Sequence, residues 1–158
     1  MNSQETLQIV DGLLEAINSG RTDDALLFCD LDVTITEPDG GTVNGRAACH
    51  SLLTKMVSLH AYLQLTHPEV QGETVTGIIL IANDYHRKVG IAPLELTWRA
   101  VIRKEKILAF GGTFTEAALE KLRPLRERAA LQAQKSATRV EHQSNLGETH
   151  QLVAGRFP

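Results

Sequence analysis

The amino-acid sequence predicts an α+β fold, and three observations carry that prediction. Apolar residues recur at helical spacing over most of residues 3–60, interrupted by one short β-branched run at residues 33–37. From residue 62 the spacing changes to the two-residue period of strands, and residues 94–103 alternate most regularly. Because the helices come first and a strand meander follows, the pattern favours an α+β domain over an alternating α/β sheet.

Three helices are predicted in the first part of the chain. Ser3 can cap the first helix and Gly20 can end it, since these residue types are favoured at helix starts and ends. The second helix is short and starts at Thr22, and the third runs from Asn44 to about His60. Their core-facing positions are expected to be Leu7, Val10, Leu13, Leu14 and Ile17, then Ala25, Leu26 and Phe28, then Ala48, Leu52, Met56 and Leu59.

Five strands follow from alternation and β-branched content, at residues 33–37, 62–67, 74–87, 94–103 and 107–115. Pro38 and Pro68 are expected to end the first two. Lys104 and Glu105 are predicted to form a tight hairpin turn, and Gly111 with Gly112 indicates a bulge or a site where a side chain from another strand lies close. A last helix is predicted from residue 115 to 134, kinked or interrupted at Pro124.

Chain length and patterning indicate one domain at residues 1–135 and a tail at residues 136–158. The chain has 158 residues, which suits a single domain of ordinary size. The last stretch is polar and without periodicity, which predicts a disordered or loosely held segment.

Composition excludes several classes of partner. A net charge of −3 provides no basic field for nucleic acid or anionic lipid. The most apolar stretch, residues 78–82, is too short to cross a bilayer, and the first residues lack the pattern of a signal peptide. Cys29 and Cys49 lie in apolar patterns typical of buried thiols, which favours a reducing, cytoplasmic location and leaves a single disulfide open.

Several short motifs resemble a known superfamily. They are Asn18-Ser19-Gly20, residues 25–28, the run Asp32-Val33-Thr34-Ile35-Thr36-Glu37-Pro38, Gly41, Asn44-Gly45-Arg46, and the hairpin from Trp98 to Phe114. Over about residues 4–120 this pattern resembles the nuclear transport factor 2-like superfamily, and within it the ketosteroid isomerases and SnoaL-type polyketide cyclases. The resemblance implies a cystatin-like cone of curved antiparallel sheet packed on helices, an internal apolar pocket and a homodimer.

Glu37 is the candidate catalytic residue. The resemblance places it where the isomerase-like members carry their general base, in an acid-Pro pair at the end of the first strand. Alternation puts Val33, Ile35 and Glu37 on one face, which favours an inward carboxylate. A partly desolvated carboxylate can move a proton between carbons next to a carbonyl, and ketosteroid isomerase is a known example of such tuning. The alternative is a solvated residue before a turn.

The oxyanion donors that the resemblance implies are not retained. The position of the family's tyrosine falls on Leu13, and that of its second acid on Trp98 or Arg99. Adjacent strand residues face opposite ways, so Trp98 is expected to point inward, either as a pocket wall or as plain core, and Arg99 outward. The loss of both donors argues against steroid isomerisation.

The remaining candidates are binding residues. Around Glu37 we expect an apolar lining that includes Trp98, Phe28, Tyr85, Phe110 and Phe114, with His60 and His67 as the best-placed histidines. No residues have metal-ligand spacing, and we expect neither a metal nor a cofactor.

Two classes of function follow. The first is an enzyme or binder for a small apolar molecule with a carbonyl, isomerising or cyclising it without a cofactor. The second is a non-catalytic module that forms homo-oligomers or binds a small molecule, with Arg99 and Arg103 on the outer face of the sheet.

Overall fold

The structure is a computed structural model that describes the backbone of residues 1–154 and the side chains of residues 1–141. Its helices are α1 (Ser3–Asn18), α2 (Thr22–Leu27), α3 (Arg46–Ser58), α4 (Asp84–Lys88) and α5 (Glu116–Ala154). Its strands are β1 (Cys29–Thr36), β2 (Thr42–Asn44), β3 (Tyr62–Gln71), β4 (Thr74–Ala82), β5 (Leu94–Arg103) and β6 (Lys106–Phe114). Contacts divide the chain into two units, Met1–Lys121 and Leu122–Pro158.

The six strands form one curved, unclosed sheet in the order β2-β1-β6-β5-β4-β3. Strands β3 to β6 are an antiparallel meander, and β1 joins it by pairing parallel to β6. The predicted α+β class is therefore confirmed.

The core lies between one face of the sheet and helices α1 and α3. Strand β5 alternates as predicted, with Leu94, Leu96, Trp98, Ala100 and Ile102 buried. Helix α1 buries its predicted stripe from Val10 to Ile17, capped by Asn2 rather than by Ser3.

The buried face of helix α3 is shifted by about one residue from the face that the sequence predicts. It buries Cys49 and Leu53 most completely, whereas Ala48 and Leu59 are exposed. It also begins at Arg46 rather than at Asn44, because Thr42–Asn44 is paired with β1 as the short edge strand β2. The sequence predicts no strand there.

Strand β3 passes Pro68, where the sequence predicts its end. The pairing with β4 shifts between Thr66 and Glu69, and His67 adopts a left-handed φ of 52°. Because β3 is an edge strand, a proline that cannot donate to a ladder is tolerated at this irregularity.

Strand β4 ends at Ala82, five residues before its predicted end. The Asn83 side chain accepts a hydrogen bond from the His86 backbone N–H at 2.8 Å and so caps α4. This cap moves Tyr85 and His86 from the predicted strand onto a short helix.

The hairpin turn is as predicted, with φ of 51° at Lys104 and 64° at Glu105. Helix α5 continues through Pro124 without the predicted interruption and extends beyond Ser136, where the sequence predicts an irregular tail, to Ala154. Residues 155–158 lie outside the described part of the chain, as do the side chains of His142 and His150. The division into a domain at residues 1–135 and a tail stays a prediction.

Candidate functional site

Glu37 follows the last residue of β1 and begins a tight turn. Its backbone N–H donates to the Gly41 carbonyl at 2.7 Å, and its own carbonyl accepts from the Gly40 N–H at 2.9 Å. Two and four positions earlier, Ile35 and Val33 are buried, and Glu37 itself is half-buried. Its Oε2 atom lies 4.0 Å from the position that a Cβ atom at Gly41 would take, on the turn that follows this buried face.

Hydrogen bonding fixes which residues lie beside Glu37. Thr36 pairs with Gly111 of β6, and the same parallel register continues past β1, since the Phe114 N–H donates to the Pro38 carbonyl at 3.1 Å. Glu37 is consequently opposite Gly112, and Gly112 pairs with Trp98 of β5. Glu37 and Trp98 thus flank a glycine across three adjacent strands.

The two glycines of β6 are required by close backbone contacts. A Cβ atom at Gly111 would lie 2.2 Å from the Thr36 carbonyl oxygen, and one at Gly112 would lie 2.4 Å from the Thr97 carbonyl oxygen. The close contacts come from the backbones of both flanking strands, whereas the sequence indicated a bulge or a nearby side chain. Gly112 itself contributes no side chain between Glu37 and Trp98.

Aromatic side chains share this face of the sheet. Trp98 is buried with its ring centroid 6.4 Å from that of Phe110, at an interplanar angle of 48°. Phe114, half-buried, is paired with Leu96 at the end of β6. Arg99 is exposed on the opposite face, so the alternation predicted for this pair holds. Trp98 and Phe110 are therefore in contact, and Phe114 lies on the same face of the sheet.

Phe28 is not brought together with these residues. It precedes β1 and lies nine positions from Glu37, roughly 25–30 Å along an extended chain. There it packs on Gly12 of α1 and lines an open surface cleft of about 850 Å³ between α1, α2 and the β5–β6 turn. Neither Glu37 nor Trp98 is among the residues that line this cleft.

Tyr85, His60 and His67 also lie apart from Glu37. Tyr85 is 51% exposed on α4, and the His60 and His67 side chains are exposed at the start of β3 and at its irregularity. Strands β6, β5 and β4 separate β3 from β1 in the sheet. The aromatic and histidine lining predicted around Glu37 is therefore assembled only in part.

A polar cluster that the sequence reasoning missed joins α3 to α4. The His60 imidazole contacts the Asp84 carboxylate at 2.6 Å, and Arg87 contacts the same carboxylate at 3.2 Å. Since 24 positions separate His60 from Asp84, no local motif could have indicated the pair.

His86 is the other histidine with a distinctive environment. Its Nδ1 atom is buried without a hydrogen-bond partner among the described residues. Burial, and then the neighbouring Arg87 charge, lowers the pKa of the imidazole. The neutral form is therefore favoured in the folded protein.

Both cysteines are buried and free. The Cys29 thiol donates to the Ala25 carbonyl at 3.6 Å and the Cys49 thiol to the Val33 carbonyl at 3.5 Å. Burial, and then proximity to Cys49, raises the pKa of Cys29 to about 12, and burial also raises the pKa of Cys49. The thiols act as small core residues, and of the two alternatives left open by the sequence the structure contains no disulfide between them.

Within the described residues, no group of three or more His, Cys, Asp or Glu side chains is placed to hold a metal ion. None of the helices in that part of the chain has the length and apolar character needed to span a membrane.

Comparison of the sequence with protein-family models and with curated proteins gives no match. Solved structures do match. An NTF2-like protein from Burkholderia xenovorans LB400 is 26% identical with a TM-score of 0.56, over 77% of this chain and 97% of that one. SalBIII, an epoxide hydrolase/cyclase-like enzyme of pyran ring formation in salinomycin, is 16% identical with a TM-score of 0.62, over 74% and 95% of the two chains. A computationally designed 17-OHP binder is 12% identical with a TM-score of 0.59, over 71% and 92%.

These likenesses define the class of fold. The protein has the nuclear transport factor 2-like fold, with neighbours that include isomerase-like, cyclase-like and designed ligand-binding proteins. The superfamily resemblance read from the sequence is confirmed at this level.

Proposed function

We propose that the protein binds a small apolar molecule with a carbonyl group beside Glu37 and isomerises or cyclises it without a cofactor. The observation that supports the proposal is the backbone register that sets Glu37 opposite Gly112, with Trp98 paired to that glycine on the other side. In this proposal a flat ligand binds over the glycine, between the acid and the indole.

Glu37 would act as the base in this scheme. Its carboxylate takes a proton from the carbon next to the carbonyl, which leaves an enolate, and returns the proton to another carbon of the same molecule. Phe110 and Phe114 would contact the apolar body of the ligand. The reaction consumes no other reagent, so no cofactor is needed.

Stabilisation of the enolate oxygen must differ from that in the ketosteroid isomerases. Leu13, at the position of their tyrosine, is a fully buried apolar residue, and Arg99 is exposed on the opposite face. The Trp98 indole N–H is the donor we assign to the ligand carbonyl. A single neutral donor stabilises an enolate less than a complete oxyanion hole does. The proposed reaction is therefore limited to substrates whose proton is removed more easily.

The structural neighbours support a ligand-binding interior in this fold. The SalBIII enzyme is described as epoxide hydrolase/cyclase-like, and the designed neighbour binds 17-OHP. Two free buried cysteines support a reducing compartment, for which we propose the cytoplasm.

The test uses 3-cyclohexenone, whose isomerisation to the conjugated enone is followed by ultraviolet absorbance. We expect Glu37→Gln to keep its circular dichroism spectrum and to lose at least about a hundredfold in turnover, in the range of general base catalysis. Glu69→Gln, an exposed β3 residue, is the matched control and should keep the wild-type rate. A folded Glu37→Gln protein with unchanged turnover would refute the assignment.

Binding can be tested separately, because Trp98 is the only tryptophan. We expect its fluorescence to change on titration with 17-OHP, and a Phe110→Ala variant to bind more weakly. If neither 17-OHP nor 3-cyclohexenone changes the fluorescence of Trp98, the proposed binding site beside this residue is refuted.

A second candidate is a non-catalytic homodimer formed through the outer face of the sheet. It is favoured by the packing of Trp98 against Phe110, which fills part of the interior. Arg99 and Arg103 are exposed on that outer face. Light scattering should then give twice the chain mass for the wild-type protein at micromolar concentration and the mass of a monomer for Arg99→Glu. A wild-type monomer would rule out the homodimer.

A further inference from the structure

We propose that His60, Asp84 and Arg87 form a second site, independent of Glu37, that hydrolyses small carboxylic esters. In this site His60 is the general base, Asp84 is a positioning residue and Arg87 binds the acyl oxygen. The proposal rests on the geometry of the junction between α3 and α4 and on the cleft beside it.

The junction holds the pair rigidly from several directions. The Asp84 N–H donates to the Leu59 carbonyl at 2.8 Å, which fixes the start of α4 to the end of α3. Arg87 donates from Nη1 to Asp84 Oδ1 at 3.2 Å and from Nη2 to the His60 carbonyl at 3.0 Å. Both partners of the histidine–aspartate contact are thus tied to the same guanidinium.

The contact determines which imidazole nitrogen is available for chemistry. A carboxylate only accepts hydrogen bonds, so His60 Nδ1 is the donor to Asp84 Oδ2 in their 2.6 Å contact. In the neutral imidazole the lone pair is then on Nε2. With 77% of the His60 side chain exposed, Nε2 is open to a water molecule or a ligand.

The backbone of His60 is held in an uncommon conformation. Its φ of 52° lies in the left-handed region, which costs a non-glycine residue about 1 kcal/mol or more. Arg87 hydrogen-bonds the carbonyl of this strained residue. The surroundings therefore impose the orientation from which His60 reaches Asp84.

A cleft of about 440 Å³ lies beside the cluster. The cleft is lined by His60 and Arg87 together with Ile17, Val57, Ala61, Tyr62 and residues 18–20. This mixed polar and apolar lining fits a small ester whose acyl group reaches His60 and whose alcohol portion contacts Tyr62.

A second histidine–aspartate pair, His50 with Asp23, differs from the pair formed by His60 and Asp84. His50 contacts Asp23 at 3.2 Å through Nε2, and the Asp23 side chain is 93% exposed. Asp23 has no arginine contact comparable to that of Asp84 among the described residues. His50 therefore contacts an aspartate but lacks the arginine that holds Asp84, and it serves as the control.

The reaction balances with water as the only second reactant. The water oxygen bonds to the acyl carbon as its proton passes to His60 Nε2, and an N–H of Arg87 stabilises the oxygen that becomes negative. The bond from the acyl carbon to the alcohol oxygen then breaks, and that oxygen takes the proton from Nε2. Carboxylic acid and alcohol leave, and His60 is neutral again.

The experiment measures hydrolysis of p-nitrophenyl acetate by the full chain and by four variants. We expect His60→Gln to lower kcat at least about tenfold, while His50→Gln and Glu69→Gln keep the wild-type value. Since Glu37 belongs to the other site, a failure of the proposed isomerase would leave this result unaffected. Wild-type hydrolysis no faster than with equimolar free imidazole, or equal losses in His60→Gln and His50→Gln, would overturn the proposal.

The role of Asp84 has its own readout. Asp84→Asn should lower kcat and leave KM within about twofold, because the carboxylate orients the imidazole without contacting the ester. The ring-nitrogen resonances of His60 should show loss of the single tautomer with Nδ1 protonated in this variant. If kcat is unchanged while the tautomer is lost, Asp84 is structural and the proposed dyad is wrong.

Discussion

The side-chain amide of Asn18 makes two hydrogen bonds with the backbone of Leu63. Asn18 Nδ2 donates to the Leu63 carbonyl, and the Leu63 N–H donates to Asn18 Oδ1, both at 2.8 Å. Leu63 lies near the start of β3, an edge strand whose outer backbone groups have no strand partner. The last residue of α1 thus pairs with the sheet edge as a short strand would.

Replacement of this amide should destabilise the protein without unfolding it. We expect Asn18→Ala to lower the free energy of unfolding by about 1–3 kcal/mol, because it leaves two part-buried backbone groups unpaired. Asn18→Asp keeps the acceptor and loses the donor, so it should destabilise too. Urea denaturation measures both, and an Asn18→Ala midpoint equal to that of wild type would contradict the role.

Gly111 should not tolerate alanine. Its φ of 136° is strained for any other residue, and an added Cβ atom would lie 2.2 Å from the Thr36 carbonyl oxygen, which belongs to backbone that cannot move freely. We expect a loss of about 3 kcal/mol or more in unfolding free energy. Gly40→Ala is the control, with a φ of 97° and no atom within 4 Å, and should cost about 1–2 kcal/mol. Equal losses of unfolding free energy in the two variants would mean that the close contact between Gly111 and the Thr36 backbone is unimportant.

Cys29 should make stability fall at alkaline pH. Its pKa rises from 9.0 to about 12 on folding, so the folded protein keeps a proton that the unfolded chain loses. Its contribution is complete below pH 9 and decreases above it by up to about 1.4 kcal/mol per pH unit. The difference between the urea midpoints at pH 7 and pH 10 should be smaller in Cys29→Ala than in wild type. The same difference in both proteins would contradict this prediction.

His86 should make stability fall at acid pH. Burial lowers the pKa of its imidazole, with the Arg87 charge as the second cause, so the unfolded chain binds a proton more readily than the folded protein. The contribution is present above the unfolded value of 6.5 and is lost as pH falls below it. His86→Gln should reduce the difference between the urea midpoints at pH 7 and pH 5. An unchanged difference in this variant would exclude His86 as its source.

Local patterns were sufficient for the long elements. Strand β5 follows strict alternation and α1 follows a helical stripe, because in each case one face meets the core and the other meets solvent. Short elements were not predictable in this way. Strand β2 has three residues and α4 has five, and their conformations depend on the β1 edge and on the Asn83 cap.

The same distinction between local pattern and tertiary pairing applies to the candidate sites. The acid-Pro pair and the alternation around Trp98 indicated Glu37 and an inward indole, since both depend on neighbours in sequence. The parallel pairing of β1 with β6 could not be predicted from either strand, yet it is what sets Glu37 opposite Gly112. It also places Phe28 at the far end of β1, away from the acid that the sequence assigned to it.

The sequence by itself determined the α+β class, the resemblance to the superfamily, and Glu37 and His60 as candidate residues. Tertiary structure decided their neighbours: Glu37 lies opposite Gly112, which is paired with Trp98, and His60 contacts Asp84, which the sequence did not indicate. The reason is that periodicity records which face of an element is buried, whereas contacts between strands and helices distant in sequence depend on register and on the order of strands in the sheet.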